Sequence, residues 1–305
     1  MTKTFDLQGH RGARGLRPEN TLPSFEAALD AGVTTIETDL HLTRDGVVVL
    51  CHDPYVSPHL FQPERSTTPI GQLNLAELRQ FKADRNPDPG RFPRQDPGVP
   101  PVAALFAGAR GFDAHAVPTL ADLFDFATAY AGDLGRQAGK TAEQRAKAGR
   151  VRFDLELKRV PFFPEAINDG FDGSRPGQLE QCVVDTVRSA GLVGRTTVRS
   201  FDHRSVACLL QLEPGLTGAV LVAETAPVDP AALAKAVKAT IYCPAYQFLD
   251  ADLLKRAQEG GVHVVAWVVN EPEHWRRLLD WGVDGVTTDF PDRLAAELKE
   301  RGMEF

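Results

Sequence analysis

The chain predicts an α/β fold, a closed (β/α)8 (TIM) barrel with a small insertion subdomain after its second strand. Three observations carry this. From residue 151 onward, short β-branched runs alternate with amphipathic runs of helical period, the signature of a parallel sheet. Two more such strands precede them, which makes eight in all. The length, 305 residues, suits one barrel of this kind, for which about 250 residues is typical. An open doubly wound sheet is the competing architecture. No glycine-rich nucleotide motif follows any strand to support it.

In order, FDLQG (5–9) reads as strand one and LPSFEAALDAG (22–32) as a helix, capped by Asn20 or Thr21 and stopped by Gly32. VTTIETDL (33–40) is strand two. TRDG (43–46) is a turn signal, and VVVL (47–50) makes a hairpin-like return that leads into Cys51 and His52. Residues 54–117 break the rhythm, with a run of proline, arginine and aspartate (85–101) and one amphipathic stretch, LNLAELRQF (73–81). A segment this long inside a compact unit is usually functional or a small subdomain. VPTLADLFDFATAYA (117–131) is helical with Thr119 as cap, and 132–150 reads as exposed loop or helix extension. Strands three to eight are then VRFDLELK (151–158), TTVRSF (196–201), LTGAVLVA (216–223), ATIYCP (239–244), VHVVAWVV (262–269) and DGVTTD (284–289). A helix follows each, the last over 291–302. The whole, 1–305, reads as one barrel domain with the insertion inside it.

Composition excludes several classes. Hydrophobic residues make up 43% and charged residues 25%, as in an ordinary globular protein. The net charge is −7, without a basic stripe, which argues against a nucleic-acid partner. The four cysteines have neither redox nor zinc spacing and read as small buried apolar residues. No run approaches the roughly 20 apolar residues of a membrane helix. MTKTFDLQGH contains no leader pattern, so the chain as it stands reads as cytoplasmic. A leader removed ahead of Met1 would instead make it periplasmic or secreted.

The chemistry concentrates in residues 8–54. Glu37 and Asp39 are at i and i+2 of a strand and project to one face. Two adjacent buried carboxylates need a compensating cation, and Mg2+ or Ca2+ is the simplest one for oxygen ligands. Glu156 and Lys158 repeat the same spacing on strand three, so Glu156 completes a three-carboxylate cage and Lys158 can neutralise a phosphate. His10 and His52 suit proton transfer near neutral pH, and Arg11 offers a fork of donors shaped for phosphate. Active sites of such barrels form at the C-terminal strand ends. Ser200, Tyr242, Trp267, Asn270, Thr288 and Asp289 also fall there. Trp267 is read either as core or as a wall against substrate. His41 reads as strand-end packing, His59 and His115 as flanking the insertion, and His203, His263 and His274 as structural. Glu19 and Asn20 read as ordering the loop beside His10.

HRG at 10–12, ENT at 19–21, E-T-D at 37–39, HD at 52–53 and E-L-K at 156–158, in this order, resemble the glycerophosphodiester phosphodiesterase family. Further points of likeness are S-F at 200–201, T-D-F-P at 288–291 and the insertion after HD. The resemblance implies two catalytic histidines, His10 and His52. It also implies metal ligands Glu37, Asp39 and Glu156, and substrate contacts from Arg11, Lys158 and the Trp267 region. The activity it implies is release of glycerol 3-phosphate and an alcohol from a small glycerophosphodiester. In the family the glycerol hydroxyl is thought to attack first, giving a cyclic phosphate that water opens. Which histidine is base and which acid is open, with His52 favoured as the acid. One alternative keeps the chemistry and takes a lysolipid, as a lysophospholipase D does, with Phe61, Phe81, Phe92 and Phe106 of the insertion lining an apolar groove. A second is a barrel that binds phosphoesters without turning them over. Oligomeric state is not legible.

Overall fold

A computed structural model describes residues 4–62 and 68–305; residues 1–3 and residues 63–67 of the expected insertion lie outside the described residues. The chain begins with β1 (Asp6–Gly9), α1 (Leu22–Ala31), β2 (Thr35–Leu42) and β3 (Val48–Leu50). Short α2 (Leu75–Leu78), α3 (Pro101–Arg110), α4 (Leu120–Ala131), α5 (Asp133–Gln137) and α6 (Ala142–Ala148) follow. Then strands and helices alternate: β4 (Arg152–Leu157), α7 (Gln178–Ser189), β5 (Thr196–Ser200), α8 (His203–Leu212), β6 (Thr217–Val222) and α9 (Pro230–Ala236). The chain ends with β7 (Ile241–Pro244), α10 (Ala251–Glu259), β8 (His263–Ala266), α11 (Pro272–Trp281), β9 (Gly285–Thr288) and α12 (Pro291–Glu300).

Eight of the nine strands among the described residues form the closed parallel barrel. β1 pairs with β2 through Gln8 and Thr35 and with β9 from Asp6↔Gly285 to Gly9↔Thr288, which seals the ring. β3 is the hairpin return. It runs antiparallel to the upper end of β2, where β1 has stopped (Leu40↔Leu50, Leu42↔Val48). That register, extended by the Cys51 amide donating to the Asp39 carbonyl at 3.0 Å, carries His52 back over the barrel mouth.

Helix ends follow local chemistry. Thr21 accepts from the Ser24 amide at the start of α1, and left-handed Gly32 ends it. Thr119 and Asp122 form a reciprocal capping box on α4. Residues 132–150, expected as loop or helix extension, contain α5 and α6, the latter capped by Thr141 with Gln144.

The insertion has two fates. Val56, Leu60, Phe61, Ile70, Leu78 and Phe81 make a small core of their own beneath β3. α3, started by Pro101 and stopped by left-handed Gly111, instead sends Val102, Ala103, Phe106 and Ala107 into the main core. The four cysteines are free and at least half-buried. No helix among the described residues is long and apolar enough to cross a membrane.

Inside the barrel the lining is lopsided. Ala219, Leu221, Cys243 and Val265 make one side apolar. On β2, β4 and β5 the buried acids and arginine are Glu37, Asp39, Asp154, Glu156 and Arg199.

Candidate active site

Strand register builds the acidic cage. β2 and β4 pair so that Glu37 lies beside Asp154 and Asp39 beside Glu156. In neighbouring strands such pairs share a face. Carboxylate oxygens of Glu37, Asp39 and Glu156 come within 4.8 Å of one another, all buried. Each acid has a cation against it: Arg199 at 2.7 Å from Glu37 Oε1, Arg11 at 3.1 Å from Asp39 Oδ2, and Lys158 at 2.6 Å from Glu156. Lys158 also reaches Asp39 Oδ1 at 3.5 Å. Burial, with Asp39 and Glu156 adding to it, pushes Glu37 up to about 8 in spite of Arg199. For Asp39 burial acts the same way, but Arg11 and Lys158 outweigh it and hold the carboxyl well below its usual range. Glu37 Oε1 accepts no hydrogen bond, the Arg199 pair lying off the hydrogen-bond direction. An oxygen-only cage with an orphaned, buried acceptor fits a hard divalent cation.

The HRG turn sets the next layer. Arg11 and Gly12 both have left-handed φ, 51° and 84°. This bends the chain so that the Arg11 amide donates to Glu37 Oε2 at 2.9 Å. A Cβ on Gly12 would lie 2.5 Å from Ser24 Oγ and 2.7 Å from the Ser24 carbonyl carbon, so only glycine passes there. The ENT residues stiffen this turn. Glu19 pairs with Arg11 at 2.6 Å, and Asn20 donates to Asp39 at 3.0 Å while accepting from Thr38.

His10 is buried, and its Nδ1 lies 2.6 Å from Asp289 Oδ1. Asp289, fully buried, has its carboxyl driven strongly down by His10 and Arg14 against the effect of burial. An ionised carboxylate only accepts, so Nδ1 carries the hydrogen and Nε2 is left as an acceptor. Burial lowers the His10 pKa to about 3, with Arg14 and Arg11 adding to it and Asp289 opposing. His52 sits at the mouth with its side chain 35% exposed, and its Nδ1 meets Asp53 at 2.9 Å. His41 Nε2 meets the His52 carbonyl at 3.2 Å and ties the hairpin end to β2.

One cavity of about 340 Å³ gathers His10, Arg11, His52, Glu156, Lys158 and Trp267, together with Arg14, Arg91, Arg199, Phe201 and Gln247. Glu37 and Asp39 lie beneath it. Trp267 donates to the Cys243 carbonyl at 2.8 Å and stands edge-on to Phe201 at 5.6 Å, forming an aromatic side wall.

Three sequence expectations change. The rim residue of β5 is Arg199, not Ser200, whose hydroxyl donates to the Leu157 carbonyl. Tyr242 is fully buried in the main core beneath the helices, because its neighbour Cys243 takes the inward position. Phe61, Phe81, Phe92 and Phe106 line no groove, being at most 7% exposed in core contacts. Arg14, Arg91, Arg199 and Gln247 were not singled out from sequence. For Arg199, two-residue alternation from Phe201 was the available signal. His59 and His115 do not line the cavity.

The model of the glycerophosphoryl diester phosphodiesterase family matches residues 10–293. A glycerophosphodiester phosphodiesterase of Caldanaerobacter subterraneus is 25% identical over 96% of this chain and 97% of its own length. Among solved structures, a glycerophosphoryl diester phosphodiesterase candidate of Silicibacter pomeroyi superposes with a TM-score of 0.79 at 26% identity, covering 100% of this chain and 96% of the other. A phosphodiesterase of Oleispira antarctica, solved with the product sn-glycerol-3-phosphate, has the same fold at a TM-score of 0.67, with 20% identity and 96% of both chains covered.

Proposed function

This chain belongs to the glycerophosphoryl diester phosphodiesterase family, and from that premise we propose that it hydrolyses small glycerophosphodiesters to glycerol 3-phosphate and an alcohol. The observation that carries the reading is the convergence of His10, His52, Arg11, Lys158 and Glu156 on one cavity above the acidic cage. Glu37, Asp39 and Glu156 would hold the divalent cation, Mg2+ or Ca2+. When bound, that cation supplies charge compensation to the phosphoryl oxygens.

The chain's own residues do the rest. Arg11 and Lys158, whose side chains are largely buried, bring positive charge to the phosphate where each interaction is stronger than at the surface. His10, kept neutral by burial and oriented by Asp289, uses Nε2 to take the proton from the attacking hydroxyl. His52, half-exposed and paired with Asp53, delivers a proton to the departing alcohol oxygen. The P–O bond to the alcohol breaks as the bond from phosphorus to the substrate's own glycerol 2-hydroxyl oxygen forms. Water then adds to the cyclic phosphate and gives its proton to His52, while the ring P–O bond breaks and its oxygen takes back the proton held on His10, so both histidines return to their starting states. Trp267 and Phe201 wall the departing group.

A lysolipid substrate is the second reading. Its sequence support was the insertion's phenylalanines, and these are packed in core contacts. A diester whose glycerol bears no acyl chain therefore suits the cavity better than a lysolipid.

The test is glycerol 3-phosphate release from glycerophosphocholine and from a lysolipid, with and without EDTA, followed by Mg2+ or Ca2+ add-back. His10→Ala and His52→Ala are each expected to remove about 10²–10⁴-fold of activity. Turnover indifferent to EDTA would refute the metal cage. Failure on both substrates would refute the hydrolase reading and leave the binding-only barrel.

A further inference from the structure

Resting on the phosphodiesterase reading, we propose that Arg91, with Arg14, forms an anion subsite at the cavity mouth that favours diesters whose head group carries a second acidic group, a carboxylate or a second phosphate. Arg91 belongs to the proline-rich part of the insertion, which has no regular structure yet is firmly held. The Arg91 amide donates to Asp88 Oδ1 at 3.0 Å, the Phe92 amide to the Asp88 carbonyl at 2.8 Å, and Asn86 Nδ2 to the Phe92 carbonyl at 2.8 Å. Phe92 is buried, its ring 6.1 Å from that of Phe290, the residue after Asp289. Gln95 donates to the Arg14 carbonyl at 2.7 Å. The loop is thus fastened to two rim turns, and Arg91 is delivered to the cavity wall.

Two guanidinium groups share one platform there. Arg14 lies 5.0 Å and Arg91 5.3 Å from the Phe92 ring centre. Both also face the same carboxylate. Asp289 already accepts from His10 at 2.6 Å, from Arg14 at 2.9 and 3.0 Å, and from Asn270 at 2.7 Å. A carboxylate offers about four lone-pair sites, and those four donors use them. Arg91 comes fifth, at 3.4 Å, the longest contact of the set and its one ion pair among the described residues. Its side chain is 49% exposed, so its remaining donors are open to a ligand. The diester phosphate carries a single charge, and buried Arg11 and Lys158 are there to meet it. A half-exposed surplus guanidinium farther out suits a second anion, which a planar fork of donors binds well.

Two substrate pairs isolate the added group. Glycerophosphoserine and glycerophosphoethanolamine differ by a carboxylate, and glycerophosphoinositol 4-phosphate and glycerophosphoinositol differ by a phosphate. The readout is the acidic-to-neutral ratio of kcat/KM within each pair, for the full chain and for Arg91→Gln, Arg91→Lys and Arg94→Gln. Arg94→Gln removes the same charge from the same loop, away from the cavity. Arg91→Gln should lower the ratio by about tenfold in at least one pair, as expected for loss of a charge-assisted hydrogen bond at a half-exposed position. Arg91→Lys should retain most of the preference, and the pair that responds identifies the acid recognised. A ratio that Arg91→Gln leaves within about twofold in both pairs, or that Arg94→Gln lowers equally, overturns the subsite alone. No turnover of any of the four diesters by the unsubstituted protein would overturn the phosphodiesterase reading itself.

Discussion

Asp289→Asn is the sharpest probe of how the barrel prepares His10. The carboxylate accepts four close donors in a fully buried position, from His10, Arg14 (twice) and Asn270. An amide of the same shape has one acceptor oxygen and a donor group where the second oxygen was. Whichever way it turns, its NH2 faces donors. About two of the four bonds are lost, each costing roughly 1–3 kcal/mol when the donor stays buried. With partial relaxation, a loss of about 3 kcal/mol of stability is expected. The effect on activity should be larger. If the amide oxygen takes the Oδ2 place, facing Arg14 Nη2 and Asn270, its NH2 donates to His10 Nδ1, and the ring proton moves to Nε2. The acceptor that the mechanism requires is then gone. A wrong tautomer in a comparable histidine–aspartate pair costs about 10⁴-fold, so kcat/KM for a glycerophosphodiester should fall by about 10³–10⁴-fold. The assay pairs that measurement with thermal unfolding. Asn270→Ala serves as comparison, because it removes one donor from the Asp289 carboxylate, and an acceptor from the Asp289 amide and the Thr288 hydroxyl, while leaving the charge. It should cost about 1–3 kcal/mol and far less activity. A stable Asp289→Asn protein within about tenfold of full activity would refute the assignment of His10 Nε2 as acceptor.

Three further outcomes follow from backbone and charge elsewhere. Gly12→Ala forces a Cβ to within 2.7 Å of the Ser24 carbonyl carbon at a φ of 84°, and should destabilise the protein by about 2–4 kcal/mol in urea titration; an unchanged midpoint would mean that the HRG turn is not rigid. Arg159 binds Asp169 at 2.6 and 3.0 Å and Glu180 at 2.6 Å through its NH2 group, so Arg159→Met should cost about 3–5 kcal/mol by stranding two buried acids. Burial works against ionised Asp169, but Arg159 and the Leu179 and Phe171 amides prevail and hold its pKa below its usual value. Its contribution should thus be complete above about pH 4 and fade as pH falls further. Asp169→Asn should flatten that part of the acid-unfolding curve, and an identical curve would remove Asp169 from the account.

What was legible in the sequence was whatever has a short period or a local cause. Glu37 with Asp39, and Glu156 with Lys158, could be read because strand alternation fixes their common face. His52 could be brought home because the TRDG turn implies an antiparallel return. The Thr119 and Gly32 helix ends needed only neighbouring residues. Beyond that range the signal fades for physical reasons. The pairing of His10 with Asp289 spans 279 residues and depends on β1 meeting β9. Ser200 was named in place of Arg199 because adjacent residues of a strand point to opposite faces, and the parity is set by the register with β4. A phenylalanine reads the same whether it lines a groove or fills a core, which is how Phe61, Phe81, Phe92 and Phe106 misled. Arg91 sits in a stretch with no period at all.

The two sides of the barrel interior offer their own control on what the charges are for. Where β6, β7 and β8 meet, the lining is Ala219, Leu221, Cys243 and Val265, a solution that excludes water without desolvating any charge. Across from it, the same barrel buries Glu37, Asp39, Asp154 and Glu156 against Arg199, Arg11 and Lys158. Replacing such a network by well-packed apolar residues is often neutral or stabilising by about 1–4 kcal/mol, so stability alone does not account for it. Nor do the cations fully discharge it. Glu37 still sits at about 8, because burial and its acidic neighbours outweigh Arg199, and one of its oxygens accepts no hydrogen bond. A core in this condition fits a further cation, in keeping with the one proposed for the cage. The HRG turn, the ENT residues and the β3 return, each rigid for its own local reason, all converge on that one cage. Sites that break the rules of stable packing in this way are where function is expected.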